Sequence, residues 1–352
     1  MSAKSQSRYY PTLDLWKYIC SILVLVIHTF PMSFNYWLDG ATGVVTRLAN
    51  PSFFTISGFL LFDRIMQKPE ESRKTVGKQI KRIAILYLIW SVFYYLIQLP
   101  ENIENGNVSS ADYWLKTFFL KGSVHYFWFF PALIIGILIS YALYKARLSP
   151  EKMVVIGVVV LVIGCMISTY KSLFTGVPVF NSVYNNFLKH ITAKNGLFFG
   201  FPYIALGYYL ADRNRKKESS SENKVINRWL IGALVSMAML GCESLIVTRK
   251  LHPDETYLWI FVYPMIFCTI NWLLSCSLMK DKDLRLFGKI SSFTYAFQYV
   301  PITYTNKLFE KLGFEAWYRG ILLLIISIIA CNLVAIVVIK LSEKYKVLRY
   351  IY

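Results

Sequence analysis

Ten stretches of this 352-residue chain are apolar over nearly the length needed to cross a lipid bilayer: 13–33, 44–66, 83–99, 126–144, 153–171, 196–212, 229–248, 257–279, 288–306 and 319–341. About 20 residues of helix cover the hydrocarbon core. There every backbone N–H and C=O must be satisfied within the protein, which favours helix. Composition agrees. The chain is 56% hydrophobic and 16% charged, with a mean hydropathy of +0.45, against about 25% charged residues in ordinary soluble domains. We therefore expect an all-α polytopic membrane bundle of about ten transmembrane helices, forming one domain over 1–352. The second run should begin irregularly, because Asn50 precedes Pro51 and a residue before proline avoids the helical region.

Charge sets the expected orientation. The net charge is +18, with 38 Lys and Arg against 20 Asp and Glu. Most of the basic residues fall in alternate connections: around Lys68–Arg82, Lys145–Lys152, Arg213–Arg228, Lys280–Lys289 and Lys340–Arg349. Lys and Arg collect in cytoplasmic loops, so both termini are expected in the cytoplasm. This distribution also explains the basic pI without nucleic acid, since no patch interleaves cations with aromatics. The six cysteines lie in apolar runs without CxxC spacing, so neither a disulfide framework nor a metal site is expected. The first run lacks a small-residue cleavage site, so no cleavable signal peptide is expected. Asn107-Val108-Ser109 fits a glycosylation sequon, a pattern frequent by chance. Self-association into a homo-oligomer is compatible with the chain.

Polar residues inside apolar runs are costly and point to function. In the first run Asp14, Lys17, Ser21 and His28 form a stripe. Lys17 and His28 are eleven residues apart, about 1100° of rotation and a rise of about 16 Å. They share a face, one at the membrane entrance and one well inside. A neutral imidazole can take a proton from a hydroxyl or amine near physiological pH. The alternative is a core histidine bonded to a helix carbonyl. Lys17 can pair with Asp14 or hold an anion. Lys78, Lys81 and Arg82, before the third run, are either an interfacial anchor or a site for the phosphates of a nucleotide-bearing donor. Arg47 and Glu243 are opposite charges near outer ends of their runs and are expected to pair. In the functional version Glu243 orients His28, or Arg47 binds an acyl or sugar oxygen.

Together these pieces resemble the acyltransferase-three family of integral membrane acyltransferases. Lys17 through His28 is similar to that family's basic-residue-then-histidine entry motif, with lysine where arginine is usual. Phe53-Phe54-Thr55-Ile56-Ser57-Gly58-Phe59 resembles its second-span motif, Lys81 to Trp90 its third-span entrance, and Trp128-Phe129-Phe130-Pro131 its fourth. Gly200 to Leu210 and Ser291 to Pro301 resemble the sixth and ninth. In place of the paired arginines usual before the third span stand Lys78, Gln79, Lys81 and Arg82, so the usual spacing is imperfect, and Gln298 stands where a histidine is frequent.

The resemblance implies transfer of an acyl group, usually acetyl from cytoplasmic acetyl-CoA, to a hydroxyl or amine of a cell-surface acceptor such as a glycan. The implied setting is the bacterial plasma membrane. It implies His28 as base, and the buried charges read above make Glu243 its expected catalytic partner. Lys17, Lys81 and Arg82 would hold the donor phosphates, and Arg47, Ser57 and Trp128 would line the substrate site. One branch, the membrane half of vancomycin-resistance serine racemases, resembles this chain around Tyr87-Leu88-Ile89-Trp90 and implies serine supply instead. A transporter of a small molecule or amino acid is therefore the alternative. It would require two access states around a midplane site.

Overall fold

The computed structural model describes residues 8–29, 43–104, 124, 126–186, 192–217, 226–251, 257–276, 279–314 and 318–352. The outer end of the first expected span, the Asn107 sequon and the serine run at 219–221 lie outside these. Among the described residues there is no strand. The helices are α1 (Pro11–Thr29), α2 (Ala49–Gln67), α3 (Ser72–Glu104), α4 (Phe129–Lys145), α5 (Pro150–Ile167), α6 (Pro178–Asn186), α7 (Phe201–Lys217), α8 (Ile226–Leu251), α9 (Val262–Ser275), α10 (Arg285–Phe297), α11 (Tyr299–Lys311) and α12 (Arg319–Lys344). A π-helical turn at Gly196–Gly200 leads into α7.

Each expected apolar run carries helix, but the helices differ in kind. Among the described residues five are long and apolar enough to cross a bilayer: α1, the segment Pro69–Pro100, α5, Asn227–Leu251 and α12. The helices α4 and α9 are apolar but shorter. The expected ninth span, 288–306, is two helices, α10 and α11, meeting at Gln298. Pro301 explains the break: it lacks the N–H that would bond the Phe297 carbonyl one turn back. The 33-residue α3 is about 50 Å long, longer than the hydrocarbon core. Its charged first three turns therefore extend beyond the apolar layer. Exposed apolar residues such as Leu88, Val92 and Leu96 on α3, Val155 and Val159 on α5, and Leu333 and Val337 on α12 give the bundle the outer face that lipid requires.

At the centre α2 lies against α7. A Cβ on Gly58 would stand 2.6 Å from the Ile204 carbonyl oxygen, and one on Gly207 would overlap the Thr55 carbonyl. Two backbones can approach this closely only through such small residues. The ion pair of Asp63 with Arg215, at 3.4 Å, fastens one end of the same crossing. The helix α1 is tied to four others by polar bonds. Trp16 Nε1 donates to Ser52 Oγ of α2, Thr12 Oγ1 to the Leu273 carbonyl of α9, Tyr18 Oη to Asn332 Oδ1 of α12, and Ser291 Oγ of α10 to the Lys17 carbonyl, at 2.7–3.0 Å. Interhelical bonds in membranes average about 0.6 kcal/mol each. Their value here is that they fix the rotation of α1, and so where its polar stripe points.

The charge distribution makes a direct expectation for topology. In a cysteine-free background, Thr175→Cys, just before α6, should react with an impermeant maleimide on intact cells. Asp281→Cys, before α10, should react only after permeabilisation. Labelling of Asp281→Cys from outside would invert the orientation.

Two cavities meeting at one tyrosine

The rotation fixed for α1 sends its two ends into two separate cavities. Asp14 and Lys17 line one, of about 460 Å³; Val24, Ile27 and His28 line the other, of about 270 Å³. Ser21, between them, is buried and bonds the Tyr18 carbonyl of its own helix.

The first cavity lies at the end of the bundle rich in Lys and Arg. Arg8, Lys17, Arg64, Arg82, Arg285 and Lys289 line it, and Asp14 is the one carboxylate among the described lining residues. Asp14 pairs with Lys17 at 2.6 Å. The pair packs against Gly288, where a Cβ would overlap Asp14 and stand 3.3 Å from Lys17 Nζ. Burial pushes the Tyr9 phenol, another lining group, up to about 12, so it stays neutral and does not offset the cations. Such a density of positive charge fits a polyanion.

Two expectations change here. Lys81 is exposed and does not line the cavity. The inward stripe of α3 is Gln79, Arg82, Ile83 and Leu86, spaced i, i+3, i+4, i+7 as one helix face demands. Lys81 falls one residue, about 100°, off that stripe. Ser57, expected beside the acceptor, lines this basic cavity instead, because α2 presents Phe53, Ile56, Ser57 and Leu60 to this end.

The second cavity brings His28 together with Arg47 and Trp128, and adds Tyr126, Lys194 and Trp259. The His28 ring packs on Tyr126, with centroids 3.8 Å apart. The Arg47 guanidinium lies 4.0 Å over the Trp259 ring, and Nη1 donates to Ser244 Oγ at 3.4 Å. Glu243 does not line this cavity, and it forms no ion pair with Arg47. Its carboxylate accepts hydrogen bonds from the backbone N–H groups of Ile260 (2.8 Å) and Phe261 (3.0 Å) and from the Tyr170 hydroxyl. It therefore satisfies donors at the entrance to α9, where a helix start leaves N–H groups unpaired. The turn it holds carries Trp259, on which Arg47 rests.

Tyr295 lines both cavities. Its ring packs against Phe53, Phe129 and Phe130, with centroids 4.9–5.8 Å apart, and its hydroxyl donates to the Tyr126 carbonyl at 3.0 Å. An aromatic partition thus separates the basic cavity from the histidine cavity. Sequence reasoning missed Tyr295, Tyr126, Lys194, Arg64, Arg285 and Lys289. Only the position of Tyr295 within the Ser291–Pro301 segment offered a sequence signal.

A profile of the acyltransferase-3 family, described as an acyltransferase domain, matches residues 10–338. The chain belongs to that family. Among curated proteins this acyltransferase-3 member is 24% identical over 289 residues to one amino-acid racemase of Enterococcus faecalis, covering 80% of this chain and 38% of that protein. A second amino-acid racemase of Enterococcus faecalis is 26% identical over 285 residues, covering 78% and 39%. A serine/alanine racemase of Enterococcus gallinarum is 24% identical over 307 residues, covering 86% and 42%. The chain thus spans about two-fifths of the length of these relatives, in keeping with the branch that its third helix resembles. No solved structure gives a match.

Proposed function

We propose that this membrane protein transfers an acyl group, acetyl in the first instance, from cytoplasmic acyl-CoA to a hydroxyl or amine of an extracytoplasmic acceptor, with cell-surface glycans as the leading acceptor class. The observation that supports this most is the division of labour along α1: a basic cavity at Lys17, a histidine cavity at His28, and one shared residue, Tyr295, between them. Acyl transfer across a membrane needs a polyanion site on one side and a base on the other. The linear pantetheine arm of CoA is a chemical link that can thread between such sites. In this reading Lys17, Arg82, Arg64, Arg285 and Lys289 hold the phosphates. The acceptor oxygen or nitrogen attacks the thioester carbonyl while His28 takes its proton. The C–S bond then breaks, and the imidazolium returns the proton to the departing thiolate. Arg47 and Trp128 line the acceptor side, and Glu243 acts through the Trp259 turn. The racemase names belong to proteins more than twice the matched length, so racemisation is not carried over.

The donor half can be tested by titrating acetyl-CoA into the purified chain in nanodiscs. Charge-assisted contacts contribute roughly 1.5–3 kcal/mol. Arg82→Ala should therefore weaken binding about tenfold or more, whereas Lys81→Ala should leave it within about twofold. Unchanged binding in a folded Arg82→Ala protein overturns the donor site. Acceptor-dependent release of CoA thiol tests the transfer itself.

A further inference from the structure

We infer that the acceptor carries its own negative charge, a carboxylate or phosphate, beside the hydroxyl or amine that is acylated. The inference rests on the acyl-transfer reading only in assigning the acceptor to the His28 cavity. The ligand class follows from the lining.

Arg47 is the first observation. A guanidinium presents five N–H donors in one plane. Here one of them makes a long bond to Ser244 Oγ, and the guanidinium carbon lies 4.0 Å over the Trp259 ring. Stacking covers a face and leaves the donor edge available to a planar anion. The nearby carboxylate, Glu243, is outside ion-pair distance and already accepts three hydrogen bonds. A cation facing such a cavity without a contacting anion among the described residues is costly. A bidentate carboxylate or phosphate would remove that cost.

Asn50 is the second. Its side-chain oxygen is buried, has no hydrogen-bond partner among the described residues, and belongs to a residue lining the same cavity. An orphaned acceptor calls for a donor, which a hydroxyl or amine on the ligand supplies. The same ligand therefore needs an anionic group for Arg47 and an O–H or N–H for Asn50, in the cavity that His28 also lines. Lys194 adds positive charge at this cavity, and no Asp or Glu is among its described lining residues. Its volume of about 270 Å³ admits a small hydroxy or amino acid, or one terminal acidic unit of a polymer.

The test uses the whole chain in nanodiscs, without donor, and ligand-observed NMR saturation transfer. The probes are glycerate, glycerol 3-phosphate and glycerol, which share hydroxyls and differ in charge. At least one anion should bind tenfold or more tightly than glycerol, and the better one identifies the group as carboxylate or phosphate. Arg47→Gln should erase the preference, and Arg47→Lys should keep part of it. Equal affinity for glycerol, no saturable binding of either anion at tens of millimolar, or a preference that survives Arg47→Gln would each overturn the inference. The comparison among probes needs no variant, so a misfolded Arg47→Gln protein does not blunt it. Because donor is absent, failure here with intact acetyl-CoA binding removes only the charged acceptor. Success here without CoA release removes only acyl transfer.

Discussion

His28→Gln should lower acceptor-dependent CoA release about 10²–10⁴-fold, the usual cost of removing a general base. Acetyl-CoA binding should stay within about twofold of the parent chain, since His28 lines the cavity away from Lys17, Arg64, Arg82, Arg285 and Lys289. Glutamine keeps hydrogen-bonding atoms and similar bulk against Tyr126 but cannot take a proton in this range. The substitution therefore separates chemistry from packing. His28→Ala should show the same rate loss, with an added stability loss from the vacated contact with the Tyr126 ring. If His28→Gln retains most of its turnover, the imidazole is structural and another group is the base. A transporter would answer differently: uptake of the small molecule into proteoliposomes would continue without any acyl donor.

What could be read from the sequence follows the reach of local geometry. Lys17 and His28 belong to one helix, so a rise and a rotation sufficed to place them at opposite ends of one face. Arg82 was legible as a cation at the entrance of α3, but its neighbour Lys81 was not separable from it. Which face of α3 turns inward depends on packing against α2 and α4, and the inward stripe runs through Gln79, Arg82 and Ile83. Ser57 failed for the same reason, as its helix turns it to the basic end. Arg64 sits on α2 and Arg285 and Lys289 on α10, so they converge only through tertiary packing. Tyr295 reads in sequence as one more aromatic among 25 tyrosines. Its place between two cavities comes from the crossing of α10 with α1 and the ring contacts of Phe53 and Phe129. Gln298 and Pro301 were visible as oddities, yet the break into α10 and α11 needed the structure.

Glu243 is where the pairing of opposite charges misled most, and its replacement should have the largest effect on stability. The expected partner was Arg47. The carboxylate instead serves two backbone N–H groups at the start of α9 and the Tyr170 hydroxyl, and it is 7% exposed. Each buried donor left without a partner costs about 1–3 kcal/mol, so Glu243→Ala should destabilise the protein by roughly 3 kcal/mol or more. This would appear as a marked fall in thermal midpoint in detergent. Tyr170→Phe removes one of the three donors along with its bond and should cost about 1 kcal/mol. In the double variant the losses should fall short of additive, because the hydroxyl can no longer be orphaned once it is absent. Glu243→Gln keeps a carbonyl acceptor and should recover much of the stability. Its turnover per folded molecule should stay within about tenfold of the parent chain, since Glu243 acts on His28's cavity only through the turn bearing Trp259 and the Arg47 resting on it. A loss of 10² or more in Glu243→Gln, with the thermal midpoint unchanged, would instead make the carboxylate part of the chemistry. It would then require α9 to move when the acceptor binds.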